Sequence, residues 1–282
     1  MGTLLIEVLM ISYPLPVGAC QTRILEAGEG DRHILFIHGL GARADRWAAT
    51  AERFAAAGYH SLVLDLPGHG FASKGGAFDY SVPAFAKFCC GVLDELGLKR
   101  VALVGTSLGA HIAATICTQH PERVVGLSMV GAVGLAPVSE ATRAAIRENI
   151  GRTSVDAIRG KLLFVMANPS LITDAWVREE WRINTSAGAA ESFSRLGDYF
   201  FNCINQDAVA EELCALTGQI PMQLLWGALD NAVPVSVGEE ASRLLGGIPL
   251  GLVPAAGHAP YFEKPIEFDA LLRPFLDGLV WQ

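Results

Sequence analysis

Ser107 stands between Gly105 and Gly109 in "VGTSLGAH", residues 104–111, at the end of an apolar run. A serine hydroxyl is a poor nucleophile until a base removes its proton, so chemistry at this position needs a histidine in reach and a carboxylate to orient it. The spacing alone is weak. A chain with 14 serines and 30 glycines in 282 residues carries about 0.16 Gly-x-Ser-x-Gly matches by chance. The surroundings carry the argument: a buried strand leads in and a helical stretch leads out, the setting of a nucleophile elbow. A turn this tight leaves no room for a β-carbon at either glycine, and the following helix directs free N–H groups and its dipole at the site where an oxyanion develops.

Of the seven histidines, His38, His60, His69 and His120 read as capping or turn residues at element ends. His111 is four residues beyond Ser107 and projects along the helix surface, away from the serine. His258 in "PAAGHAPYFEKP" follows the last strand pattern in a glycine-flanked loop, which a parallel sheet presents at the same edge as the elbow. Asp230 ends "PMQLLWGALD", one strand earlier, and serves either as the acid that fixes the tautomer of His258 or as a turn cap. The loop after "VVGLSMV", "GAVGLAP", offers no carboxylate. For an oxyanion hole, the backbone N–H of Leu108 is one donor, and the N–H of Leu40, between two glycines in "HGLGARADRW", is the other.

The elements that must position these residues are legible as hydrophobic periodicity. "HILFIHG", "HSLVLDLPG", "RVALVGTS" and "VVGLSMVGA" are continuous apolar runs, as strands buried on both faces should be, and helical stretches separate them. That alternation predicts an α/β fold with a mostly parallel, doubly wound sheet. "LLIEVLMIS" and "TRILEAG" are expected to pair as an antiparallel edge. From 134 to 217 strand patterns vanish and polar helical stretches follow one another; "PMQLLWGALD" and "IPLGLVPAAGH" then resume the sheet. The expected organisation is a core domain of residues 1–133 and 218–282 interrupted by a helical cap over 134–217.

A formal charge of −8 with no basic run argues against nucleic acid as a partner. No apolar run reaches the roughly 18 residues a membrane span requires, and the N-terminus lacks the basic region of a signal peptide. The expectation is a cytoplasmic protein with no membrane partner, compatible with a monomer or a homo-oligomer. The six cysteines show no ligand spacing, so no metal is expected and they read as buried reduced thiols.

Through "HGLGARADRW", "DLPGHGFAS", "VGTSLGAH", "LLWGALDNAVP" and "GHAPYFEKP", the chain resembles the α/β-hydrolase superfamily over nearly its whole length. The resemblance implies a cofactor-independent hydrolase with a Ser107–His258–Asp230 triad. Serine at the elbow implies ester or C–C bond cleavage and disfavours the aspartate-nucleophile dehalogenases and epoxide hydrolases. "NPSLITDAWVREEW" resembles the cap of meta-cleavage product hydrolases, which cut a C–C bond in aromatic degradation. Those enzymes usually carry arginine before the tryptophan and tryptophan after the histidine; this chain has Glu180 before Trp181, and Ala259. Arg178 or Arg182 could substitute for that arginine. The expected activity is cleavage of an ester or related acyl bond in a small, largely apolar substrate enclosed by a cap rich in aromatics (Phe164, Trp176, Trp181, Phe193, Phe200). C–C hydrolysis and ligand sensing without turnover are the alternatives, and a scaffolding role through the cap helices is a third.

Overall fold

A computed structural model describes residues 9–281. Its eight strands are β1 (Ile11–Val17), β2 (Cys20–Ala27), β3 (His33–Ile37), β4 (His60–Leu64), β5 (Val101–Thr106), β6 (Val124–Val130), β7 (Met222–Gly227) and β8 (Leu250–Val253). They form one sheet in the order β1-β2-β4-β3-β5-β6-β7-β8. β1 and β2 run antiparallel to their neighbours, and β3 through β8 are parallel.

The continuous apolar runs become strands covered on both faces. Leu35, Ile37, Leu62, Leu64 and Leu103 belong to one core cluster. Their alternates Ile34, Phe36, Val63, Ala102 and Val104 belong to another on the opposite face. Helices α2 (Val82–Glu95) and α3 (Leu108–Gln119) cover the first face, and α1 (Ala48–Ala56) with α11 (Pro265–Asp277) covers the second. The strand order reverses about β3, which lies between β4 and β5. Loops leaving the C-terminal ends of β3 and β5 therefore diverge to opposite faces and open a crevice, the usual ligand position in such sheets.

The N-terminal edge differs from expectation. The paired strand is Ile11–Val17 rather than 4–12, and residues 4–8 lie outside the described residues. Pro14 and Pro16 fall within it; being two apart, they remove donors from one side of an edge strand, where no partner needs them. Gly18, with φ +58°, makes the turn into β2.

Between β6 and β7 lie five α-helices and no strand: α4 (Glu140–Ile150), α5 (Val155–Val165), α6 (Asp174–Asn184), α7 (Ala189–Asn202) and α8 (Ala210–Leu216). Ser139, Ser154 and Thr173 cap α4, α5 and α6 by accepting an N–H three residues on. α7 turns Phe193, Leu196 and Phe200 into the main core cluster and packs chiefly against α4. After β7 come α9 (Val235–Leu244) and the short α10 (Pro260–Glu263). Cys89, Cys90 and Cys117 are buried as expected, but Cys20 and Cys203 are half-buried and Cys214 is exposed.

Candidate active site

Ser107 is the single residue between β5 and α3. Its backbone has φ +55° and ψ −118°, a region L-residues rarely adopt, and holding it there costs on the order of 1–3 kcal/mol. The chain on either side enforces it. A β-carbon on Gly105 would lie 2.2 Å from the Gly109 carbonyl oxygen, and one on Gly109 would lie 2.3 Å from that of Ile37. The Ser107 N–H donates to the Val130 carbonyl at 2.9 Å, tying the turn to β6.

Asp230 and His258 are joined directly. Asp230 Oδ2 is 2.7 Å from His258 Nδ1, and Oδ1 accepts the N–H groups of Ala232 (2.8 Å) and Val233 (2.9 Å). One carboxylate oxygen thus faces the imidazole and the other caps the turn. The aspartate side chain is fully buried and His258 is 14% exposed. An ionised carboxylate only accepts, so Nδ1 carries the proton and Nε2 is left as the basic nitrogen. Ser107 and His258 line one cavity of about 160 Å³. Among the described residues no hydrogen bond joins Ser107 Oγ to the imidazole.

The loop after β3 abuts the serine: a β-carbon on Gly39 would lie 3.0 Å from Ser107 Cβ. Leu40 lines the cavity, and neither its N–H nor that of Leu108 donates to another described residue. His38 fixes this loop from beneath, Nδ1 donating to the Gly39 carbonyl at 2.9 Å and Nε2 accepting the Leu66 N–H at 3.0 Å. Burial pulls its pKa down to about 4. His69, edge-on to His38 at 5.1 Å, is pulled down to about 3 by its own burial. His111 Nε2 is engaged by the Asp207 carbonyl at 2.6 Å.

Two features were not legible as site components. Glu263 clamps the His258 loop: Oε1 accepts the Gly257 N–H at 2.8 Å, Oε2 accepts the Asn168 N–H at 2.9 Å, and the His258 N–H donates to the Val165 carbonyl at 2.8 Å. Its place in "GHAPYFEKP" was the only signal. The second is a charge cluster at the cavity wall. Arg46, from the loop after β3, donates to Glu180 Oε1 of α6. The same oxygen accepts the Trp176 indole N–H at 3.0 Å. Arg43 lies 3.6 Å from it and also pairs with Glu179 and Asp45. The Arg46 guanidinium lies 3.8 Å from the Trp176 ring centroid. Burial lowers the pKa of Arg46, and Glu180 opposes that shift.

Arg178 and Arg182 are exposed; Arg182 packs over the Trp181 ring. Of the five aromatics noted between β6 and β7, Trp176 lines the cavity. Phe193 and Phe200 are core residues, Trp181 packs in a small cluster around α5 and α6, and Phe164 is 56% exposed. Among the described residues no group of three or more His, Cys, Asp or Glu could hold a metal ion, and no helix is long and apolar enough to cross a membrane.

The family profile of the alpha/beta hydrolase fold matches residues 32–151. The chain is 30% identical to an uncharacterized protein of Mycobacterium tuberculosis, over 89% of this chain and 76% of that one. It is 27% identical to a 2-hydroxy-6-oxononadienedioate/2-hydroxy-6-oxononatrienedioate hydrolase of a Pseudomonas species, over 89% of this chain and 90% of that one. A solved structure of a bacterial membrane phospholipase A superposes with a TM-score of 0.79 at 28% identity, covering 95% of this chain and 86% of the other.

Proposed function

The chain belongs to the α/β-hydrolase fold family, and from that premise we propose that it is a serine hydrolase cleaving a carboxylic ester of a small, largely apolar substrate. The observation that carries this reading is the 2.7 Å Asp230–His258 hydrogen bond in the same cavity as a serine at positive φ. His258 Nε2 takes the Ser107 proton as Oγ attacks the acyl carbon, and the carbonyl π electrons move onto oxygen. The N–H groups of Leu40 and Leu108 stabilise that oxyanion. Its collapse expels the alkoxide, which takes the proton from His258 and leaves as alcohol. Water, deprotonated by His258, then attacks the acyl-serine, and a second collapse releases the acid and restores Ser107. Asp230 holds the imidazole and stabilises its charged form in both halves. Contacts of this kind are commonly loose in an empty site and tighten around substrate.

In this reading residues 134–217 are a lid on the core of 1–133 and 218–282, and the enzyme acts in the cytoplasm without a metal or organic cofactor. Its apolar cavity walls, Leu162, Val165, Met166, Trp176 and Phe262, suit an acyl or aromatic group. Incubation with p-nitrophenyl butyrate and a fluorophosphonate tests it: ester cleavage with labelling at Ser107 is expected, and absence of both overturns it in favour of a ligand sensor.

The Pseudomonas relative favours a second reading, C–C cleavage of a vinylogous diketone acid. Comparing kcat/KM for neutral esters and for such an acid separates the two; preference for the acid by orders of magnitude reverses their order.

A further inference from the structure

We infer that Glu180 is a specificity-determining residue that keeps anionic substrates out of the cavity by occupying the guanidinium of Arg46. The inference rests on the hydrolase reading above and adds the charge class of the substrate. Arg46 lines the same cavity as Ser107 and His258. An arginine at the wall of an apolar cavity is normally an invitation to a carboxylate, because its planar fork matches that group. Here the carboxylate is supplied by the protein. Glu180 is 4% exposed, accepts from Arg46 and from the Trp176 indole on one oxygen, and lines the cavity itself.

The aromatic rings of Trp176 and Phe262, 3.8 and 5.6 Å from the Arg46 guanidinium carbon, flank this cation, and Glu180 is its acidic partner. Arg43 gives its Nε to Asp45 at 2.6 Å and its Nη2 to Glu179 at 2.7 Å, while its Nη1 lies 3.6 Å from Glu180, so of the two arginines beside Glu180 it is Arg46 that the carboxylate hydrogen-bonds. A second cation of the lining, Lys161, donates its ammonium to the Ile150 and Arg152 carbonyls at 2.9 and 2.7 Å; burial lowers its pKa to about 8. A substrate carboxylate entering this cavity would have to displace Glu180 from Arg46. Doing so exchanges one carboxylate for another on Arg46 and leaves the buried Glu180 with Arg43, at 3.6 Å, as its remaining cation, so the exchange gives no net gain. A neutral acyl group requires no such exchange.

The test compares p-nitrophenyl pentanoate with p-nitrophenyl hydrogen glutarate, nearly isosteric esters differing by a carboxylate at the acyl end. The unaltered enzyme should favour the neutral ester, and Glu180→Gln should raise the anionic-to-neutral ratio of kcat/KM by about tenfold or more, because the amide keeps an acceptor for Trp176 while releasing the charge of Arg46. An unchanged ratio overturns the inference. If Glu180→Gln does not fold, competitive inhibition of the unaltered enzyme decides: benzamide should bind about tenfold more tightly than benzoate, and equal or tighter binding of benzoate overturns it. Failure of the unaltered enzyme to cleave the neutral ester counts instead against the hydrolase reading.

Discussion

Two buried carboxylates line or underlie the same cavity, and they do opposite things. Asp230 gives one oxygen to two backbone N–H groups and the other to an imidazole, a ring that can both donate and accept a proton. Glu180 faces Arg46 and Arg43, which stay charged at any working pH. A carboxylate beside a titrating base can support proton transfer, whereas one beside permanent cations can only fix charge and exclude competitors. Position on the wall does not decide the role; the partner does.

The contrast is best broken by removing its members in turn. Ser107→Ala should abolish ester turnover, lowering kcat by about 10³–10⁶ in a p-nitrophenyl butyrate assay; a residual rate within tenfold of the parent would place the nucleophile elsewhere. Asp230→Asn reverses the hydrogen-bonding role opposite Nδ1 and should cost about 10²–10⁴ in kcat with little change in KM. A loss confined to KM would demote Asp230 to turn capping. Glu180→Gln should shift charge preference by about tenfold without the collapse of kcat seen for Asp230→Asn, and equal damage by the two would erase the distinction drawn here.

A smaller effect concerns pH and stability. His38 and His69 are held neutral, with folded-state values of about 4 and about 3, against an ordinary value near 6.5. Between these limits the unfolded chain binds protons that the folded chain does not, so stability falls as pH drops below about 6.5 and continues to fall to about pH 4. Each histidine contributes a slope of up to about 1.4 kcal/mol per pH unit. Urea unfolding at pH 7, 6 and 5 should show this decline, and His69→Gln should flatten it; a slope unaffected by that substitution would assign acid sensitivity to other groups. Least of all, Ser107→Gly should raise stability by about 1 kcal/mol by relieving positive φ, and a drop in melting temperature would contradict a strained elbow.

What could be read from the sequence was local or periodic. The elbow announces itself because Gly105 and Gly109 fall within one short strand–turn–helix stretch, although the backbone that crowds Gly109 comes from β3. β3 through β7 show as apolar runs because both sheet faces are covered, whereas the edge strand β8 leaves Leu252 45% exposed. His258 and Asp230 stand out in the sequence by their positions after strand patterns, since a parallel sheet brings such loops to one edge. The Arg46–Glu180 pair spans 134 residues and joins two helical segments whose relative placement no periodicity encodes, so Glu180 showed only as a departure from a family pattern. The edge strand Ile11–Val17 contains Pro14 and Pro16, which an open edge tolerates.

The backbone of residue 258 is fastened to the end of α5 through the Val165 carbonyl, and Glu263 bridges the neighbouring amides of Gly257 and Asn168. Prising that end of the helix away from the sheet would therefore also release the histidine from its alignment with Asp230. In the proposed hydrolase, parting of the cavity wall on this side would thus draw on the same few hydrogen bonds that seat the imidazole.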